Sequence, residues 1–146
     1  MSKEQSIHIF DRPELDFGNV PEDLNLIAEI LDRSGYFGQL RRHIHAHPEL
    51  GFEEDATADL VDRHLSEWGI GTSKGLGKTG VVGTIKRGNS EKAIALRADM
   101  DALPIQELNN FSHKSVHAGS FHGCGPDGHT TMLLAAVESL ASHDTF

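Results

Sequence analysis

Apolar residues in this chain recur with two periods, and the changes of period are punctuated by glycine or proline. From Pro21 the residues Leu24, Ile27, Ile30 and Leu31 fall on one helical face, behind the acids Glu22 and Asp23 in the first turn. Ser34-Gly35 reads as an interruption, after which Phe37, Leu40 and Ile44 resume the helical spacing until His47 meets Pro48. Glu53, Glu54 and Asp55 open a second helix with Ala56, Leu60, Val61, Leu65 and Trp68 as its buried stripe, stopped by Gly69. Residues 71–80 contain four glycines and read as a loop. Two apolar runs, 81–85 and 93–98, read as strands, the second a buried one, and a turn at 88–90 makes them a hairpin-like or adjacent pair. A last helix carries Met132, Leu133, Ala136, Val137 and Leu140 on one face, with Asp127 as its N-cap. Residues 1–20 show no such period and read as an irregular lead-in to one domain over 21–146.

Length and charge narrow the function classes. The 146 residues suffice for one domain with a real core. Thirteen basic against twenty-two acidic side chains, a net charge of −9, argue against a nucleic-acid surface. A single cysteine excludes an internal disulfide, the start lacks a signal-peptide pattern, and no apolar run reaches membrane-spanning length, so the expectation is a cytoplasmic protein without a membrane partner.

Candidate chemistry concentrates in residues 121–131, which hold the only cysteine, two of ten histidines and three of fifteen glycines. Thiolate, imidazole and carboxylate are the donors that hold zinc, manganese and similar ions, and Cys124, His122, His129 and Asp127 lie within eight residues. The same residues read equally as a small buried thiol, surface imidazoles and a helix cap. Asp99 and Asp101 stand where a buried strand runs out, a costly place for carboxylates unless a cation, a proton or donors stabilise them; they read equally as groups facing an active site and as caps of a turn before Pro104. His43, His45 and His47 alternate, fall on different helical faces, and read as surface or loop groups. Glu53 and Glu54 read as helix-dipole partners rather than catalytic acids. The glycines of 71–80 do not form a phosphate loop, because a strand follows instead of a Lys-Ser/Thr helix start.

Three segments, LRRHIHAHPELGFEE at 40–54, LRADMDALPI at 96–105 and HGCGPDGHT at 122–130, resemble in order and spacing the start of the M20 metallopeptidases, in the branch of hippurate hydrolases, N-acyl-amino-acid amidohydrolases and auxin-conjugate hydrolases. The resemblance implies an α/β fold, a mixed sheet between helices forming part of a zinc-exopeptidase-like catalytic domain. It also implies a divalent-metal site, zinc, manganese or similar, that hydrolyses the amide of a small N-acyl amino acid. By position, Cys124 matches the family's thiolate metal ligand and Asp101 the aspartate that supports the catalytic centre; Asp99, His122 and His129 fall within or beside the motifs without an assigned role. Two departures follow. The family pattern is Cys-Gly-His-Asp-Gly-His, and Pro126 stands where it has a ligand histidine. Relatives are also well over twice as long, and their paired glutamates, later ligand histidines and inserted lid or dimerisation domain find no counterpart before Phe146. The expectation is therefore a truncated hydrolase with little or no activity alone. The alternative is a non-catalytic remnant that binds a metal ion or a partner chain, including its own copy through exposed core.

Overall fold

The computed structural model describes residues 28–143. The lead-in, and the expected helix start at Pro21 with Leu24 and Ile27, lie outside the described residues. The elements in chain order are helix α1 (Ala28–Ala46), helix α2 (Asp55–Glu67), strands β1 (Gly71–Leu76) and β2 (Gly80–Thr84), and helix α3 (Pro126–Ser142). The fold is α/β, helices with a small antiparallel sheet.

Helix α1 runs unbroken through Ser34-Gly35, contrary to the interruption expected there. A glycine within a helix costs about 1 kcal/mol, and tertiary contacts around it outweigh that. Arg33 forks onto Glu138 of α3, with Nε–Oε2 at 3.0 Å and Nη2–Oε1 at 2.7 Å, and Phe37, Leu40 and Ile44 on the next turns are buried. Those three residues, with Leu60, Leu65 and Ile70 from α2 and its exit and Leu134 and Ala135 from α3, form the hydrophobic core. Trp68 and Val61 of the expected α2 stripe pack against it half-buried, whereas Ala56 is exposed. Among the described residues no helix is long and apolar enough to cross a membrane.

Residues 71–76, expected as a loop, form β1, which pairs antiparallel with β2 from Gly71↔Thr84 to Leu76↔Gly80. The glycines serve the hairpin rather than disrupting it. Gly75 (φ +87°) sits at the register shift, and Gly77 (φ +62°) opens the turn. At Gly83 a Cβ would come within 3.1 Å of Leu65 Cδ1, so the missing side chain lets the hairpin lie on the core.

The expected second strand, 93–98, is not one. It runs without turn or bend, makes no backbone ladder among the described residues, and exposes Ile94 (91%) and Leu96 (58%). An apolar run of this kind becomes a buried strand only beside a neighbour, which the described residues do not supply. Helix α3 also begins earlier than expected. Its N-cap is Gly125 in the left-handed region (φ 87°), and Asp127 lies inside the first turn. Because Asp127 turns inward, the buried face runs through Thr130, Thr131, Leu134 and Ala135, leaving Met132 exposed.

Candidate functional site

Three short connections bring the motif segments together. The first and second join where Ala102 N donates to Glu49 O (2.7 Å) and Leu50 bridges Ala102 in parallel. The second and third join through reciprocal 3.0 Å bonds between Leu103 and Phe121. The first and third meet at Asp127. Its carboxylate, 1% exposed, accepts from Arg41 Nε at 3.0 Å and from His45 Nδ1 at 2.9 Å, both on α1.

His45 is therefore not the surface group expected. It is buried, and its Nε2 bonds Glu107 Oε1 at 3.2 Å. Glu107 also accepts from Asn109 Nδ2 (2.9 Å) and the Ser115 amide (2.5 Å), which pins the 105–120 connection. Two acids and two basic side chains thus form one linked cluster. Burial pushes the Asp127 carboxyl up, but donation from His45 and Arg41 outweighs it and holds the group below the ordinary carboxylate range. Glu107 is held low in the same way, burial being overcome by Asn109, Ser115 and His45. The signal that could have revealed this is the i, i+4 spacing of Arg41 and His45, which puts both on one helical face.

Glu49 was also missed. Its carboxylate accepts from the amides of Ala56 (2.9 Å) and Thr57 (2.8 Å) and from Thr57 Oγ1 (2.7 Å), capping α2 from outside the helix. Glu54, the N-cap of α2, makes no side-chain cap bond; buried, it accepts from Thr79 Oγ1 at 2.6 Å and ties α2 to the hairpin turn.

Of the candidate chemical residues, Asp99 and His129 are paired, Oδ1 to Nδ1 at 2.8 Å, and Thr130 Oγ1 donates to the Asp99 carbonyl (3.0 Å). The hydrogen bond from His129 holds the Asp99 carboxyl below its ordinary value. With Nδ1 donating, Nε2 is the free ring nitrogen, and it lies 4.0 Å from where a Cβ on Gly125 would stand, beside the loop that carries Cys124. The pair borders an open cleft of about 490 Å³ lined by Leu96, Arg97, Met132 and Leu133. Asp101 is half-buried, makes no hydrogen bond among the described residues, and has its Oδ2 3.7 Å from a Cβ position on Gly51. Cys124 is exposed, not a buried core thiol. His122 is 3% exposed with neither ring nitrogen in a normal hydrogen bond, and burial lowers its pKa.

These groups do not by themselves fit a metal ion. Among the described residues no three His, Cys, Asp or Glu side chains converge to hold one. Pro126, fully buried at the first position of α3, presents no donor where the motif has a ligand.

Comparison with known proteins agrees with the motifs. The profile of Peptidase family M20/M25/M40 matches residues 95–146. A hippurate hydrolase of Campylobacter jejuni is 54% identical over 121 residues, 83% of this chain and 32% of that protein. An IAA-amino acid hydrolase of Arabidopsis thaliana is 42% identical over 88% of this chain and 29% of its own length. A solved structure from methicillin-resistant Staphylococcus aureus superposes with a TM-score of 0.77 at 37% identity, covering 82% of this chain and 31% of that one. A Bacillus subtilis dinuclear metal-binding peptidase of the M20 family gives 0.71 at 38% identity, over 75% of this chain and 31% of its own. The chain spans about a third of the length of these relatives. The three joined motifs, this architecture and these likenesses all match the chain to peptidase family M20/M25/M40.

Proposed function

We propose that the chain is the N-terminal portion, residues 21–146, of the catalytic domain of a metal-dependent amidohydrolase that cleaves small N-acyl amino acids of the hippurate type. The observation that carries this reading is the 54% identity to a hippurate hydrolase over 121 residues. Cys124, exposed on its loop, is the proposed thiolate ligand, and Asp101, a carboxylate on the neighbouring segment without a hydrogen bond among the described residues, is the proposed group of the catalytic centre. A divalent ion, when bound, polarises an amide carbonyl. The chain's own residues act around that centre. Asp99 holds the Nδ1 proton of His129 and leaves Nε2 able to take or give a proton at the cleft, while the His45 cluster fixes Asp127 and hence the loop. Because the donors present do not complete a metal site, the 146-residue chain alone is expected to hydrolyse little or nothing.

A chimera tests the assignment. Residues 28–143 replace the aligned third of the Campylobacter enzyme, with and without Pro126→His, and hydrolysis of N-benzoylglycine is followed with added manganese or zinc. Metal-dependent turnover in the folded Pro126→His chimera, lost on Cys124→Ala, supports the reading. A folded Pro126→His chimera without turnover overturns it.

A further inference from the structure

Helix α1 ends in a histidine pair that the candidate site does not use. His43 and His47 lie four residues apart, so both project from one face of the last turn and its exit, while His45 between them turns inward to Asp127. Their rings stand 4.6 Å apart, centroid to centroid, with 38° between the planes. His47 Nδ1 donates to the His43 carbonyl at 2.8 Å, which puts the ring proton on Nδ1 and leaves Nε2 as the ligating nitrogen. A backbone carbonyl in that position is the orienting contact of a metal-bound imidazole. His43 ligates through either ring nitrogen, because an imidazole bonded at one still offers the other. Partial burial, with the charges of His47 and Arg63, holds the His43 imidazole below its ordinary pKa and so in the unprotonated form that binds metal. Arg63 itself has its Nε on the Asp59 carbonyl at 3.3 Å.

The ring separation selects the ion. An imidazole centroid lies about 3.2 Å from an ion held at the ordinary metal–nitrogen distance. Two imidazoles bound at a right angle therefore have centroids about 4.5 Å apart, and at the tetrahedral angle about 5.2 Å. The observed 4.6 Å matches the right angle, the cis angle of square-planar and octahedral ions rather than of tetrahedral zinc. His117, tied to the helix end by the Val116 amide on Ala46 O (2.9 Å), has its ring 6.3 Å from that of His47, and no third donor converges among the described residues. We infer that His43 and His47 form a two-imidazole chelate for a nickel(II)- or copper(II)-like ion, with water completing the coordination. It is separate from Cys124 and independent of the hydrolase reading.

The test is calorimetric titration of nickel chloride into the full chain, with His43→Ala, His47→Ala, His117→Ala and Cys124→Ala; unchanged circular dichroism verifies folding. The chain should take about one equivalent. His43→Ala and His47→Ala should each weaken binding about tenfold or more, whereas His117→Ala and Cys124→Ala should stay within about threefold. The Campylobacter chimera, which supplies the rest of the domain and a metal site of its own, should lose about one equivalent on His43→Ala. Nickel binding indifferent to either histidine of the pair overturns the inference, as does a loss on Cys124→Ala or His117→Ala as large as theirs. Zinc held more tightly than nickel overturns the right-angle geometry and the inference with it. A pair that binds in the chain but not in the chimera would be covered in the whole domain, and equally overturns it.

Discussion

Replacing Asp127 by asparagine removes the charge that joins the first motif to the third while keeping the shape of the side chain. The carboxylate is 1% exposed and receives two donors. The bond from buried His45 is charge-assisted and worth about 1.5–3 kcal/mol. That from Arg41, whose side chain is 58% exposed, is screened and worth less than about 1 kcal/mol. Both donors reach Oδ2, so the amide oxygen can keep them, and the new NH₂ would take the place of Oδ1, which is buried without a hydrogen-bond partner among the described residues. Together these put the loss at about 2–4 kcal/mol, which for a chain of this size lowers Tm by about 3–5 °C per kcal/mol. Urea denaturation followed by far-UV circular dichroism at neutral pH measures it directly. Arg41→Ala should cost less than about 1 kcal/mol, and a cycle pairing Asp127→Asn with His45→Gln should return a coupling of about 1–3 kcal/mol. If Asp127→Asn costs no more than Arg41→Ala, the buried His45 bond does not hold the loop and the reasoning fails.

The same cluster sets a pH dependence. Asp127 and Glu107 titrate below their unfolded values, so they stabilise the fold above about pH 4 and that contribution drains away as pH falls through their lowered folded values. Urea midpoints should fall steeply below about pH 4, and Asp127→Asn should flatten the fall; an unchanged slope in that variant would count against the assignment. Glu49→Ala should destabilise by about 1–2 kcal/mol by uncapping α2, with Glu49→Gln losing less. Amide exchange at Ala56 and Thr57 should quicken with it, and unaltered exchange would place the cap elsewhere.

Much of the core was legible from periodicity. Phe37, Leu40 and Ile44, and Leu60 with Leu65, are buried where the spacing put them, because helical period and burial are local properties. The misreadings share one physical origin, which is that pairing across the chain decides them. Gly71, Gly75, Gly77 and Gly80 look like loop residues until β2 arrives to make the bulge and turn useful. Ser34-Gly35 looks like a break until Arg33 reaches Glu138 on α3. Asp127 looks like a cap, and His45 a surface imidazole, until α1 and α3 pack and each becomes the other's partner. The family motifs were fully visible, and so was the proline at 126; what spacing could not show is that this position is sealed in the interior rather than open on the loop.

The motifs of the family's site are recognisable in this chain, but its donors do not complete a metal centre among the described residues. Elemental analysis of the purified 146-residue chain, dialysed against zinc or manganese beside Cys124→Ala, tests it most directly. The account predicts well under one equivalent of ion, equal in both proteins. A stoichiometric ion that Cys124→Ala releases would contradict it.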